Sequence, residues 1–175
     1  MESLLEKAKK IRLVIFDVDG VLTSGQITYG SQGTEYKTFH VHDGLGIKLL
    51  LQSKIAVAII TSRESDIVTR RAKELGIPYV FQKCPNKMPA YLELKKQLHL
   101  PDETIAYVGD DLPDLALIRL AGLGITVANA PSYIQQHADW VTHKKGGKGV
   151  AREVSEFILQ AQGSLDTLIQ NYLEP

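Results

Sequence analysis

Short apolar runs alternate with longer segments of helical spacing along most of the chain. Apolar runs rich in β-branched residues predict strands at residues 11–16, 55–60, 79–81, 104–108 and 123–127. Helical spacing predicts helices at about 44–53, 64–75, 87–98, 112–121 and 131–136, another at 148–161 and a weaker one at 165–173. Nearly continuous apolar strands are typical of a sheet covered on both faces. The alternation therefore predicts an α/β fold with a mainly parallel sheet flanked by helices.

Residues 25–41 break this alternation and predict a β-hairpin around the turn at residues 30–33. The apolar positions that mark its two strands are Ile27 and Tyr29, then Tyr36, Phe39 and Val41. Such a hairpin is either a surface excursion, a flap over a site, or an edge that pairs with another subunit. Its aromatic content favours the functional alternatives, because a lone two-stranded hairpin is only marginally stable in water.

Length and charge narrow the class of protein. The 175 residues are enough for one domain, spanning 1–175, with a sizeable core. Acidic and basic residues balance at 20 each, so we expect no nucleic-acid surface and no membrane surface. The N-terminus has no signal-peptide pattern, and no run approaches the roughly 20 apolar residues of a membrane span. A single cysteine, Cys84, adds a weak indication of a reducing compartment, and we expect a cytoplasmic protein.

Two carboxylates, Asp17 and Asp19, directly follow the first predicted strand. Carboxylates do not belong in a core unless they are paired or hold a metal. A second cluster, Asp110, Asp111 and Asp114, follows the strand at 104–108. Because parallel strands end at the same edge of a sheet, we expect both clusters to meet there. Carboxylates brought together repel one another, and a bound divalent cation removes that repulsion.

All-oxygen ligation of this kind favours Mg²⁺. Each cluster alone has a simpler explanation. An Asp-x-Asp-Gly sequence also occurs in calcium-binding loops, although the rest of that pattern is absent here. The Asp110-Asp111 pair could be plain helix N-capping. Two clusters, each after a strand, favour the metal site.

Further polar residues follow the strand at 55–60. Thr61 can donate to an anion, and Arg63 can clamp a phosphate or a carboxylate. Thr61 or Ser62 could equally cap the following helix. Lys87, at the start of a helix, could neutralise charge in the same crevice, but a lysine in that position is unremarkable by itself.

The segment DVDGVLT at 17–23, Thr61, Lys87 and the GDDxxD pattern at 109–114 occur in the order and spacing of a known set of motifs. Together they resemble the haloacid dehalogenase-like phosphatase superfamily. Residues 39–46, 146–153 and 158–163 further resemble the family of 3-deoxy-D-manno-octulosonate 8-phosphate phosphatases. This resemblance implies a Rossmann-like domain with the hairpin as a flap, a C-terminal helix and tail at about 148–175, and no large cap domain. It also implies a homotetramer whose hairpins associate.

The resemblance assigns roles to the motif residues. It makes Asp17 the nucleophile, which forms an aspartyl-phosphate, and Asp19 the general acid and base. It implies Mg²⁺ held by the Asp17 carboxylate, the Asp19 backbone carbonyl and Asp110, with Asp111 and Asp114 orienting the metal shell. Thr61 and Lys87 bind the phosphoryl oxygens. The positions implied to contact substrate are Asp19, His40, Val41, His42, Asp43, Gly44, Lys48, Arg63, Arg71 and Lys87.

The implied function is a Mg²⁺-dependent phosphatase that releases phosphate from 3-deoxy-D-manno-octulosonate 8-phosphate in lipopolysaccharide inner-core biosynthesis. Departures from the family at His42, Ser62 and 82–87 leave a nine-carbon keto-acid 9-phosphate open as the substrate. A non-catalytic oligomerisation module is a further alternative, but it predicts damaged acidic motifs, and these are intact. Whether the tail reaches a neighbouring active site is left open.

Overall fold

Six parallel strands form the central sheet in a computed structural model of the chain, which describes residues 3–173. In spatial order the strands are β5 (Tyr79–Phe81), β4 (Ala56–Ile60), β1 (Leu13–Phe16), β6 (Ile105–Gly109), β7 (Leu123–Thr126) and β8 (Trp140–Val141). All neighbouring pairs are parallel. Every residue of β1 and β6 is buried, so both faces of the sheet are covered, as their continuous apolar sequences predict.

Eight helices surround or extend this sheet within the described residues. They are α1 (Leu4–Lys10), α2 (Val41–Gln52), α3 (Asp66–Leu75), α4 (Met88–Leu98), α5 (Leu115–Leu120), α6 (Ser132–Gln135), α7 (Val150–Ala161) and α8 (Leu165–Leu173). The predicted α/β fold, with a mainly parallel sheet flanked by helices, is confirmed. Residues 1–2 and 174–175 of the predicted domain and tail lie outside the described residues.

Two elements of the structure, α1 and β8, have no counterpart in the sequence prediction. Both are short, with seven residues in α1 and two in β8. Isolated helices of this length are marginal in water, so α1 depends on its packing against α7. The side-chain amide of Gln162 adds hydrogen bonds to the carbonyls of Ala8 and Ile11, at 3.2 and 2.8 Å.

The helix predicted at 112–121 is divided into a 3₁₀ turn over Leu112–Asp114 and α5. Asp111 caps the 3₁₀ turn, because its Oδ1 accepts a hydrogen bond from the backbone nitrogen of Leu112 at 2.8 Å. The capping alternative for Asp111 is therefore real, and it brings Asp114 close to the chain that leaves β6.

The hairpin is shorter than predicted. Its strands are β2 (Thr28–Tyr29) and β3 (Glu35–Tyr36), and Gly30 donates a backbone hydrogen bond to the carbonyl of Thr34 at 2.7 Å. The prediction that Phe39 and Val41 belong to the second strand is wrong. Val41 begins α2 and is 74% exposed, while Phe39 is partly buried against the core.

Helix α2 starts three residues before its predicted beginning at residue 44. The cause is His40, whose Nδ1 accepts a hydrogen bond from the backbone nitrogen of His42 at 3.3 Å and so caps the helix. From there α2 packs against both α3 and α7. Residues 40–44, which the sequence analysis expects at the substrate, therefore form the first turn of a helix.

Three central strands determine where the site lies. The carboxyl ends of β4, β1 and β6 adjoin one another in the sheet and lead directly into Thr61, Asp17 and Asp110. This is the edge at which open α/β sheets bind ligands. Within residues 3–173, no helix combines the length and apolar character needed to cross a membrane.

Candidate active site

An acidic crevice of about 270 Å³ opens at the carboxyl edge of the sheet. The predicted residues that line it are Asp17, Asp19, Thr61, Arg63, Lys87, Asp110 and Asp111. The backbone nitrogen of Asp17 donates to the carbonyl of Val108 at 2.9 Å, and that of Thr61 to the carbonyl of Phe81 at 2.9 Å. The sheet ladder thus continues into the site, so the chain around these side chains is held by the neighbouring strands.

Lys87 is buried between two carboxylates. Its Nζ lies 2.9 Å from Asp17 Oδ1 and 2.5 Å from Asp114 Oδ1, and its side chain is only 2% exposed. Burial alone would lower the pKa of Lys87, but the charges of Asp17 and Asp114 outweigh that effect and raise it. The lysine is therefore a permanent cation beside Asp17. Its position in the sequence, at the start of a helix, does not indicate this role.

Asp114 is buried beneath the crevice and organises its neighbours. Oδ1 accepts hydrogen bonds from Lys87 and from the hydroxyl of Tyr107, both at 2.5 Å. Oδ2 accepts from the backbone nitrogens of Asp110 and Asp111, at 3.1 and 3.3 Å. Because both of its oxygens are already occupied by these donors, Asp114 is suited to holding the lysine and the chain after β6 rather than to binding a ligand.

The carboxylates of the site repel one another. Burial, and then the charge of Asp114, raises the pKa of Asp17 to about 7. Burial, followed by the charges of Asp17 and Asp114, raises the pKa of Asp110 to about 8. Carboxyl groups with such values are poised to give up protons when a cation arrives.

The donor set fits a hard divalent cation. One carboxylate oxygen each from Asp17, Asp110 and Asp114 lie within 4.8 Å of one another. Asp17 and Asp110 line the open crevice, whereas Asp114 is 1% exposed and fully hydrogen-bonded. Mg²⁺ is usually bound by few carboxylates, and water and substrate oxygens complete its coordination. The residues present therefore fit Mg²⁺.

Gly20 brings the first acidic turn against the second. Its φ is +97°, and a Cβ at this position would lie 2.0 Å from Asp110 Oδ2. Only glycine allows the backbone after Asp19 to pass so close to the Asp110 carboxylate. The turn is supported from behind by Gly147, whose backbone nitrogen donates to the carbonyl of Val21 at 2.9 Å.

The hairpin lies over this site within the same chain. Lys37 Nζ is 2.5 Å from Asp19 Oδ1, and Arg63 Nη2 donates to Tyr29 Oη at 2.9 Å and to Glu35 Oε1 at 3.3 Å. The hairpin thus contacts two residues that line the crevice, Asp19 and Arg63. Lys37, Glu35, Tyr29 and, in the interior, Tyr107 were missed by the sequence analysis.

The signals for these residues are weak. Glu35 and Lys37 are two residues apart in an extended segment, so they share one face of the hairpin, and that spacing could have identified them as a pair. Tyr107 resembles any other residue of a buried strand, because its sequence position does not show that its hydroxyl reaches Asp114. Only the packing of the strands against the turn after β6 makes that contact.

Most of the other predicted substrate residues lie outside the crevice. His40 and His42 line a second cleft of about 390 Å³, together with Lys148 and Arg152. Lys48 is exposed on α2, one turn beyond the first turn of that helix. Within one chain, the structure therefore does not bring these residues to Asp17.

Asp43, Gly44 and Arg71 have structural contacts of their own. Asp43 Oδ1 accepts a hydrogen bond from the backbone nitrogen of Arg152 at 2.9 Å, so Asp43 caps the start of α7 from α2. Burial raises the pKa of Asp43. A Cβ on Gly44 would lie 2.5 Å from Arg71 Nη2, and the Arg71 guanidinium lies 5.7 Å from the centre of the Phe39 ring.

The chain is similar to known proteins. A family model described as haloacid dehalogenase-like hydrolase matches residues 60–154. The chain is 46% identical over 163 residues to the 3-deoxy-D-manno-octulosonate 8-phosphate phosphatase of Salmonella typhi, covering 93% of this chain and 87% of that protein.

Two solved structures have the same fold. The phosphatase of that name from Moraxella catarrhalis, in complex with a magnesium ion, a phosphate ion and a KDO molecule, is 48% identical, with a TM-score of 0.95 and 97% of each chain covered. A cobalt-bound phosphatase from Haemophilus influenzae is 44% identical, with a TM-score of 0.91, covering 96% of this chain and 99% of that one.

Proposed function

The chain belongs to the haloacid dehalogenase-like hydrolase family, and we propose that it is a Mg²⁺-dependent phosphatase of 3-deoxy-D-manno-octulosonate 8-phosphate. The products are the free sugar acid and phosphate, and the enzyme serves lipopolysaccharide inner-core biosynthesis. The observation that carries this proposal is the buried Asp17 carboxylate, held 2.9 Å from Lys87 beside Asp110 at the end of β1. The Moraxella relative, with its magnesium, phosphate and sugar acid, supports it.

Asp17 is the proposed nucleophile. Its carboxylate attacks phosphorus, the bond to the sugar oxygen breaks, and an aspartyl-phosphate forms. A carboxylate is a weak nucleophile, so positioning and charge neutralisation must supply most of the acceleration. The sheet ladder that holds the backbone of Asp17 and the buried cation of Lys87 provide both.

Asp19 is the proposed general acid and base. It protonates the leaving sugar oxygen in the first step and removes a proton from the attacking water in the second. Thr61 and Lys87 bind the phosphoryl oxygens and offset the charge that develops there. All three residues line the same crevice.

We assign the Mg²⁺ ligands to the Asp17 carboxylate, the backbone carbonyl of Asp19 and Asp110. When bound, the cation offsets the negative charge of the phosphoryl group and the carboxylates. Asp114 keeps Lys87 and the chain at Asp110 and Asp111 in place through its four hydrogen bonds, the orienting role predicted for it.

Recognition of the sugar acid is proposed to involve two groups of residues. Arg63 reaches the crevice of its own chain, where it can bind a carboxylate or hydroxyls. The group implied by the resemblance outside the crevice is His40, Val41, His42, Asp43, Gly44, Lys48 and Arg71. For these to contact substrate, they must act on the crevice of a neighbouring subunit, or the chain must rearrange.

A homotetramer would supply such a neighbour. The hairpin exposes Ile27, Tyr29 and Tyr36, at 49%, 61% and 57%, which supports association of hairpins between subunits. We further propose a cytoplasmic location and one domain over residues 1–175. Sedimentation analysis is expected to give a tetramer, and thermal unfolding is expected to show a single cooperative transition. A monomer with full activity would contradict recognition by a neighbouring subunit.

The catalytic proposal is tested by phosphate release from 3-deoxy-D-manno-octulosonate 8-phosphate. We expect turnover with Mg²⁺, none after EDTA treatment, and none in Asp17→Asn. The matched control is Asp166→Asn, which changes an exposed aspartate in α8 and should leave turnover intact. Full activity in Asp17→Asn, or turnover without metal, would contradict the mechanism.

A panel of sugar phosphates tests the substrate separately. Much faster turnover of a nine-carbon keto-acid 9-phosphate would replace the substrate and leave the mechanism in place. Tetramer formation without Mg²⁺ binding or turnover would instead support the oligomerisation module.

A further inference from the structure

We propose that Lys37, at the end of the hairpin, is a positioning residue for the general acid and base Asp19. The inference rests on the proposed function and adds to it a residue that no motif contains. Lys37 holds one oxygen of the Asp19 carboxylate and leaves the other for the sugar oxygen and the attacking water.

The contact between Lys37 and Asp19 is short and shielded from solvent. Lys37 Nζ lies 2.5 Å from Asp19 Oδ1, and its side chain is 2% exposed, whereas the Asp19 side chain is 19% exposed. Exposed ion pairs contribute little, because solvent and side-chain entropy weaken them. Because so little of the lysine side chain is exposed, water competes weakly with the carboxylate for it, and the pair restricts where the carboxylate points.

Glu35, in strand β3 of the hairpin, holds the hairpin against the rest of the site and so helps to position Lys37. Glu35 Oε1 lies 3.5 Å from Lys37 Nζ and accepts a hydrogen bond from Arg63 Nη2 at 3.3 Å. Glu35 Oε2 accepts from the hydroxyl of Ser65 at 2.8 Å. Arg63 also donates to Tyr29 Oη at 2.9 Å. Both strands of the hairpin are therefore bound to the segment between β4 and α3.

The second oxygen of Asp19 remains available for proton transfer. Asp19 Oδ2 lies 3.8 Å from Arg63 Nε, which is beyond hydrogen-bond distance. With Oδ1 held by Lys37, rotation of the carboxylate is restricted and Oδ2 keeps one orientation. Proton transfer needs heavy atoms within about 3 Å, and a displacement of about 1 Å at a reacting group costs on the order of 100-fold in rate.

The test compares two substrates that differ in their need for a proton. The alkoxide of a sugar phosphate must be protonated as it leaves, whereas the leaving group of p-nitrophenyl phosphate departs without one. The two substrates are compared by kcat/KM, which covers the steps up to departure of the leaving group and leaves out hydrolysis of the aspartyl-phosphate, where Asp19 acts for both. For Lys37→Met, we expect kcat/KM on 3-deoxy-D-manno-octulosonate 8-phosphate to fall about 10- to 100-fold and kcat/KM on p-nitrophenyl phosphate to fall less than about 3-fold.

Two further variants separate positioning from folding. Lys37→Arg keeps a donor near Asp19 and should recover part of the lost kcat/KM on the sugar phosphate. If Lys37→Met does not fold, Lys37→Arg replaces it and should lower kcat/KM on the sugar phosphate more than on p-nitrophenyl phosphate. Lys95→Met is the matched control. Lys95 lies on α4, outside the crevice, and its Nζ is 2.6 Å from Asp102 Oδ2. It should leave kcat/KM unchanged on both substrates. Circular dichroism and melting temperature check that each variant is folded.

Each result either supports or contradicts the positioning role of Lys37. A fall in kcat/KM that is equal on both substrates would assign Lys37 to binding or structure, and unchanged kcat/KM values on both substrates would remove it from the mechanism. Either result overturns the positioning role while wild-type turnover keeps the proposed function. If the wild-type protein hydrolyses neither substrate with Mg²⁺, the proposed function itself fails.

Discussion

Replacing Lys87 with methionine tests the electrostatic core of the site. The substitution keeps most of the side-chain volume but removes the cation that lies 2.9 Å from Asp17 and 2.5 Å from Asp114. Removing one partner of a buried ion pair costs about 3–5 kcal/mol, because the other charge is left uncompensated. We expect a loss of this size in the free energy of unfolding at about pH 8 without metal.

The loss should depend on pH with a definite sign. Asp17 has a pKa of about 7 in the folded protein, above its ordinary value, so its ionisation destabilises the fold as pH rises. Lys87 is one of the groups that hold this pKa down, and its removal raises the pKa further. Below about pH 7, Asp17 binds a proton in both proteins, so the part of the loss that comes from Asp17 disappears and only the part from the lost contact with Asp114 remains. Above it, each pH unit adds about 1.4 kcal/mol until the pKa of the variant is reached.

The assay is urea unfolding in EDTA at about pH 6, 7 and 8, followed by the fluorescence of Trp140, the single tryptophan. Trp140 packs on Phe157, with ring centroids 4.7 Å apart, so its emission reports the folded core. Lys95→Met is the control and should show no increase in its destabilisation above pH 7. A destabilisation by Lys87→Met that is equal at pH 6 and pH 8, or that stays below about 1 kcal/mol throughout, would refute the reasoning.

Three further predictions concern the same site. Gly20→Ala places a Cβ 2.0 Å from Asp110 Oδ2, so calorimetry should show Mg²⁺ affinity at least about 10-fold weaker, and unchanged affinity would contradict the close approach. Mg²⁺ binding should release protons near pH 7, because the raised pKa values of Asp17 and Asp110 must fall; buffers of different ionisation enthalpy would reveal this, and equal heats would contradict it. Tyr107→Phe removes a buried donor to Asp114 and should lower the free energy of unfolding by about 1–3 kcal/mol in urea, whereas an unchanged midpoint would show that the hydrogen bond is dispensable.

Most of the helices and strands could be predicted because the signals that define them are local in the sequence. Strand β5 occupies the predicted residues 79–81, and α3 ends at the predicted residue 75, where Gly76 caps it with a φ of +76°. Apolar runs and helix stop signals act over a few neighbouring residues, so the sequence contains them in full. The hairpin prediction was wrong at Phe39 and Val41. Alternation alone does not distinguish a strand from a segment that leads into α2, which His40 caps.

For the site, the amino-acid sequence by itself determined which carboxylates meet. Asp17, Asp19 and Asp110 follow apolar strands, and strand ends of a parallel sheet must meet at one edge. Only the tertiary structure decided which charges are in contact. It buried Lys87 between Asp17 and Asp114 and placed the hairpin's Lys37 on Asp19. The physical reason is that the positions of strands along the chain follow from short-range patterns, whereas the pairing of charges distant along the chain depends on how whole elements pack.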